Sequence, residues 1–390
     1  MARPIIEHRM KLLHVTPFYE PAWAYGGMVR AVAGLCRALA RRGHEVTVVT
    51  ALYDGGHARS ETLGGVRVRR VPALFKRLLT PWGLGAGALL KSELHEAQVV
   101  HVHGVRSGLA VSAYRACEAA GKPWVLQPHG TWPHHDRFVL PKLAFDRLWG
   151  ERMLSLAHSL VAVSQAEARD LGREANVVAN GVEPVGSAAR ADRRGFYHLL
   201  FVGNASPQKR SDLLPDLLAE LPAVRLQIVG RFARRFVRRF GPFAHRVTLS
   251  GPLDGAALAA AYASADLVVH PAVDEAFGLV PFEAALLGTA AVVAGGHGCG
   301  EWFAKAGGCV VPPDDPVAMA SAAQARLSDR AGSEREAAAV ADFARRELTW
   351  DRAAQAMEAV YGGVLKAWAA QPQPAAPVPA AAGGPTRAAG

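Results

Sequence analysis

Apolar strand-like runs and helical runs alternate along this chain in two successive series, and that alternation limits the fold more than any other feature. The first series reads KLLHVTPF, a helical stretch over 27–42, HEVTVVT, VVHVHG, a helix over 107–120, PWVLQPHG, a helix through LAFDRLWGERML, and SLVAVS. Its strands are continuous apolar runs, so both of their faces must be covered, as in a parallel sheet with helices on either side. The series breaks at ANGVEPVGSAARADRRG, residues 179–195, where Gly, Pro, Asn and charge accumulate. It restarts with HLLFVG, a helix over 211–221, VRLQIVG, a helix from about 232, VTLSG, a helix over 255–263, DLVVHP, a helix over 281–287 and AAVVAGG.

A chain of 390 residues is long for one core, and with half of its residues apolar it can fill two. The expected fold class is therefore α/β, with two Rossmann-like domains whose parallel sheets face each other across a cleft. Ligands of such sheets bind at the carboxyl ends of the strands. The expected divisions are an N-terminal domain at 1–182, a linker at 183–195 and a C-terminal domain at 196–346. A C-terminal helix at 347–367, free to return to the first domain, and a disordered Ala, Pro and Gly tail at 368–390 complete the chain.

Cys36, Cys117, Cys299 and Cys309 form no Cys-x-x-Cys pair and sit at no zinc-finger spacing, so no disulfide framework or structural zinc is expected. MARPIIEHRM lacks the apolar stretch of a secretion signal, and no uncharged run reaches membrane-spanning length. A cytoplasmic, soluble protein is expected. The net charge of +10 favours an anionic partner without choosing among nucleic acid, a lipid surface and a phosphorylated small molecule.

Candidate site residues fall at predicted strand ends. Gly26 and Gly27 end a loop and open a helix, where backbone amides can approach an anion. Gly203 ends a strand, and Lys209 and Arg210 lie just before the next predicted helix, against its dipole, which points to an anionic ligand. Glu275 and Glu283 are eight positions apart around Phe277, Gly278, Leu279 and Pro281, so the first belongs to a loop and the second to the start of a helix. A carboxylate there suits a vicinal diol such as ribose.

His101 and His103 share one face of a strand, but no carboxylate completes a metal site with them, so no metal is expected. His134, His135 and Arg137 lie in a post-strand loop and are expected to face an acceptor. In RFARRFVRRFGPFAHR, Phe232, Phe236 and Phe240 recur every four residues, with Arg231, Arg234, Arg235, Arg238 and Arg239 on the adjacent faces. The expected structure is an amphipathic helix packed through Phe, with attraction to anionic lipid as a second use of the run. Residues 69–91 carry a similar mixture.

With these motifs in place, the chain resembles the GT-B retaining glycosyltransferases of family 4, also called group 1. The resemblance extends from PFYEPAWAYGGMVRAVAGLCRALARRGHEVTVVT through PHGTW, VAVS, NGV, FVGNASPQKR and EAFGLVPFEAALLG to GGCVVPPDD. It implies a GT-B architecture, with the acceptor on the N-terminal domain and a nucleotide-diphosphate sugar, as co-substrate and not cofactor, on the C-terminal one. Glu283 then holds the donor ribose, and Glu275 with the 277–279 backbone holds the transferred sugar. Lys209 holds the diphosphate, Gly27 meets the donor phosphate, and His129 lies near the reacting centre. Asn180 and Gly181 match a hinge.

The family usually reads Gly-Arg-Leu where this chain has Gly203-Asn204-Ala205, so one phosphate-binding cation is missing. Arg231, at the end of the neighbouring strand, is the expected substitute. The implied reaction is metal-independent hexosyl transfer with retention, to a glycan or lipid-linked acceptor in polysaccharide or glycolipid assembly. It would take place in the cytoplasm, with the inner membrane face open to the basic segments. The competing readings are a nucleotide-sugar epimerase on the same fold and a basic nucleic-acid-binding protein. The latter lacks the aromatic stacking platforms it would need, and no nucleic-acid partner is expected.

Overall fold

The computed structural model describes residues 9–23, 26–52, 57–74, 82–83, 85–133, 138–189 and 196–371. Its N-terminal strands are β1 (Lys11–Val15), β2 (Glu45–Leu52), β3 (Ser60–Leu63), β4 (Val66–Leu74), β5 (Trp82–Gly83), β6 (Val99–His103), β7 (Trp124–Gln127), β8 (Ser159–Ala162) and β9 (Asn176–Val177). They form one sheet in the order β3-β4-β2-β1-β6-β7-β8-β9, with β5 beside β4. Only β3 and β5 pair antiparallel. The second sheet holds β10 (Tyr197–Val202), β11 (Val224–Val229), β12 (Val247–Gly251), β13 (Leu267–His270), β14 (Ala291–Ala294) and β15 (Cys309–Val311), all parallel, in the order β12-β11-β10-β13-β14-β15.

The order of the second sheet is the doubly wound one, reversing between β10 and β13, and the first sheet reverses in the same way between β1 and β6. Each reversal opens a crevice at the carboxyl ends of the strands. The continuous apolar character of the strands follows from this layering. Leu13 and Val15 of β1 enter one core while Leu12 enters the core on the opposite face, and Leu200 of β10 is divided in the same manner from Leu199 and Phe201.

The helix Trp350–Ala369 packs on the helix Gly27–Arg41, and its Met357 and Tyr361 are buried in the N-terminal core. Trp350 seats it: a Cβ at Gly34 or Gly181 would run into this residue, so both positions must be glycine for the tryptophan to lie flat. The Val182 N–H donates to Leu348 O at 2.8 Å across the same junction.

The basic run departs from its expected form. Arg234–Arg246 is a series of 3₁₀ turns interrupted at Gly241, where φ is 49°, and followed by Pro242, which cannot continue a helix. The phenylalanines still face inward. Phe232 meets Phe201 of β10 at 6.1 Å between ring centroids, and Phe236 and Phe240 follow at 4.8 and 5.7 Å. Arg234, Arg235, Arg238 and Arg239 are exposed, whereas Arg246 is buried and donates to the carbonyls of Leu218, Leu221, Pro222 and Val224 at the end of the helix Leu214–Ala219.

No helix among the described residues is long and apolar enough to cross a membrane. His134, His135 and Arg137, which were expected to face an acceptor, lie outside the described residues, as do residues 190–195 of the expected linker and 372–390 of the expected tail.

Candidate active site

A cleft of about 550 Å³ opens where the carboxyl ends of the two sheets meet. Gly26, Gly27, Arg30 and His129 line it from the N-terminal half; Lys209, Arg231, Glu275, Phe277, Gly278, Leu279 and Glu283 line it from the C-terminal half.

Glu283 lies in the first turn of the short helix Val280–Leu286, which no side chain caps, and Pro281 takes its second position where the first was expected. Glu283 is buried, its side chain 5% exposed, and burial raises its pKa against the opposing pull of Arg30 and the Tyr262 hydroxyl. Arg30 Nη1 donates to Oε1 at 2.5 Å across the cleft, and Tyr262 Oη donates to Oε2 at 2.9 Å. Glu275 is paired with Lys209, and His270 Nε2 stands 3.8 Å from the same carboxylate oxygen. Each acid of the Glu-x7-Glu motif thus faces a cation that a bound anion could attract.

Backbone geometry lets a ligand approach. Gly278 has φ 72°, and a Cβ there would collide with Cys299 beneath it. Phe277 contributes its backbone, because its ring is buried against Phe282 and Trp302. Gly26 caps the helix Gly27–Arg41 with φ 99°, as the sequence suggested. At the missing cation, Asn204 Oδ1 accepts the Arg231 N–H at 2.9 Å. The Arg231 side chain meets no acid among the described residues.

Arg210 is a correction. It does not line the cleft; it has φ 45° between two 3₁₀ turns, Pro207–Lys209 and Ser211–Leu213, and pairs with Asp212 at 3.2 Å and with Asp314. The helix it was expected to precede begins only at Leu214, so the dipole argument does not apply to it. Asp315, its partner's neighbour, caps the helix Pro316–Ser328.

His129 adopts φ 54°, a left-handed conformation that strains any residue with a Cβ. The loop is held by Glu167, which accepts from Gly130 N at 2.5 Å and Val163 N at 2.7 Å; burial lifts its pKa to about 6 against those two bonds. Beside the cleft the halves are bridged by Glu301, which accepts from Gln165 N at 3.0 Å and Ala166 N at 2.9 Å, and by Trp302 Nε1, which donates to Val163 O.

Sequence reasoning missed Arg30, Tyr262 and Glu167. Arg30 had a faint signal, one helical turn beyond Gly26 and Gly27. Glu167 had a local one, the Ser164-x-x-Glu167 spacing at the start of the helix Gln165–Leu171, though not its reach to Gly130; Tyr262 had none, because its partner Glu283 lies 21 positions away.

Residues 25–185 match the family model described as Glycosyltransferase Family 4, and residues 197–329 match that described as Glycosyl transferases group 1. A D-inositol 3-phosphate glycosyltransferase of Xylanimonas cellulosilytica is 33% identical over 406 residues, covering 92% of this chain and 96% of the relative. The chain belongs to glycosyltransferase family 4. Its architecture is GT-B. Among solved structures, sucrose-phosphate synthase from Thermosynechococcus elongatus aligns with a TM-score of 0.74 at 20% identity, over 92% of this chain and 100% of that one. Anabaena Alr3699/HepE in complex with UDP-glucose aligns at 0.70 and 18%, over 91% and 100%. This family 4 protein is a glycosyltransferase, and its membership weighs against the epimerase and nucleic-acid readings.

Proposed function

We propose that the protein transfers a hexose from a nucleoside-diphosphate sugar, with retention, to a hydroxyl of a glycan or lipid-linked acceptor. The observation that carries this reading is the meeting of Glu283, Glu275 and Lys209 with Gly27 and His129 in one cleft between the halves. The relative named for D-inositol 3-phosphate and the neighbour solved with UDP-glucose support a sugar donor of this class.

The ion pairs suggest how binding proceeds. The diphosphate draws Lys209 from Glu275, freeing that carboxylate for sugar hydroxyls, while Glu283 accepts from the ribose diol. As the bond from sugar to phosphate breaks, negative charge grows on the leaving phosphate, and Lys209 with Arg231 stabilises it. A leaving-phosphate oxygen takes the acceptor's proton on the face where the new bond forms. These cations serve the role a divalent ion would otherwise fill, so turnover is proposed to be metal-independent. Phe138, Leu140, Leu143 and Leu148 are exposed on the N-terminal half and support a lipid-linked acceptor met at the cytoplasmic membrane face.

Thermal unfolding with UDP-, GDP- and ADP-sugars tests the reading. A cognate donor at 100 times its Kd adds about 2.7 kcal/mol of stability, and the same donor is slowly hydrolysed without acceptor. No stabilisation by any of them would remove the proposal.

Arg231 gives a second expectation. A charge-assisted phosphate contact is worth roughly 1.5–3 kcal/mol, so Arg231→Ala lowers kcat/KM about ten- to a hundredfold. Arg239, exposed and only 5.9 Å from the Phe236 centroid, is the control and is nearly silent. Equal activity of Arg231→Ala and Arg239→Ala would leave the missing cation without this substitute.

A further inference from the structure

Three histidines stand in line behind the cleft, ending at His129. His14 of β1 and His101 of β6 are in-register partners of a parallel pair, so their side chains leave the sheet on one face, and His103, two residues beyond His101, joins them. His14 Nδ1 lies 2.9 Å from His103 Nε2, and His103 Nδ1 lies 2.9 Å from His129 Nε2. His101 stands outside the line, with its Nδ1 at 2.8 Å from the Tyr361 hydroxyl. The Nε2 atoms of His14 and His101 are buried and meet no partner among the described residues.

A metal shared by His14, His101 and His103 is the competing arrangement, since one ring nitrogen from each lies within 4.8 Å of the others. No carboxylate or thiolate belongs to that group to offset a buried divalent charge, and both nitrogens of His103 already face other imidazoles. Hydrogen bonds in series fit the geometry better.

A neutral imidazole carries one proton, so a line of three has two polarities. If each ring donates toward His14, the line ends in a buried His14 Nε2–H with no acceptor. If each donates toward His129, the His14 end is a bare Nε2 lone pair and the His129 end an Nδ1–H facing the cleft, and an unmet buried N–H is the rarer condition. His101 takes no part in this choice, because its Nδ1 is engaged with the Tyr361 hydroxyl and its Nε2 reaches no ring of the line. Burial also keeps the line uncharged, pushing the pKa of His14 and of His129 down to about 3.

The geometry points to His14 and His103 as positioning residues that fix His129 in its Nδ1–H tautomer, so that it donates a hydrogen bond to an oxygen of the bound sugar or its phosphate and does not act as a base. This rests on the cleft being the donor site. His129 Nδ1 is the ring nitrogen left without a protein partner among the described residues, and the strained backbone of His129 sets the direction of the ring. The acceptor's proton must then leave by another route, as it does when the leaving phosphate takes it.

Nitrogen-15 spectra of histidine-labelled protein report which ring nitrogens carry protons. In the wild type, His129 Nδ1 is protonated and Nε2 bare. His14→Leu releases that preference and lowers kcat about ten- to a hundredfold with donor KM unchanged, whereas His14→Asn, which keeps an N–H near the place of Nδ1, holds kcat within about threefold. A wild-type His129 protonated at Nε2 overturns the inference without reference to any variant. So does wild-type kcat in folded His14→Leu, or stoichiometric zinc that survives chelator dialysis and is lost in His101→Phe. Failure of the donor-site reading shows separately, as a wild type that no nucleotide sugar stabilises.

Discussion

Glu283→Ala is expected to lower kcat/KM by roughly 10²–10⁴-fold while the protein stays folded. Under the proposed reading its carboxylate accepts two hydrogen bonds from the ribose diol, each charge-assisted and worth about 1.5–3 kcal/mol, and each 1.4 kcal/mol is about tenfold. Stability suffers less, because the partners left behind are unequal. Arg30, whose side chain is 29% exposed, can turn to water. The Tyr262 hydroxyl is buried and loses its acceptor, at a cost of about 1–3 kcal/mol. Arg30→Ala has the opposite balance. It leaves Glu283 buried without the cation that most opposes its desolvation, so the carboxyl pKa climbs further and the fold loses more than in Glu283→Ala. Donor affinity, kcat/KM and thermal midpoints of the two variants read these effects separately. Unchanged donor affinity and rate in Glu283→Ala would sink the role given to that residue.

What could be read from sequence was local. The strands of both sheets were legible because burial on two faces leaves them continuously apolar, and Glu275 and Glu283 were legible because loop and helix turn lie within eight positions. Arg30 was not, since its pairing with Glu283 spans 253 positions and no spacing rule reaches that far. Arg210 was misplaced because the dipole argument presumed a helix starting at 211, and an acid from beyond β15 neutralises it instead. The Phe232, Phe236, Phe240 period gave the buried face correctly and the helix type wrongly, because the left-handed turn at Gly241 and Pro242 end any longer helix. His14 is a single residue in a strand. Only the register of β1 against β6 places it beside His101.

Stability is expected to fall steeply as pH drops from about 6.5 toward 3. His14 and His129 titrate near 3 in the folded protein, and His101, His103 and His270 lie well below their ordinary value; desolvation is the leading cause throughout. A depressed folded-state pKa means that the unfolded chain binds more protons across this window, so the histidine contribution is complete above 6.5 and is lost on acidification. Glu167 works in the other direction. Its folded pKa, raised to about 6, lets the native state hold a proton between 4.5 and 6 that the unfolded chain has released, and the raised values of Glu20 and Glu283 act in the same direction. With His158 and His297 also held below their ordinary value, seven histidines stand against these three acids, so unfolding takes up protons on balance even there, each net proton being worth about 1.4 kcal/mol per pH unit. A domain stable by about 5–15 kcal/mol would be exhausted within a few units. Urea unfolding from pH 7.5 to 4 measures the slope directly. A stability flat across pH 6.5–4.5 would mean that these histidines are not held uncharged in the fold, and the buried line behind His129 would lose its physical basis with them.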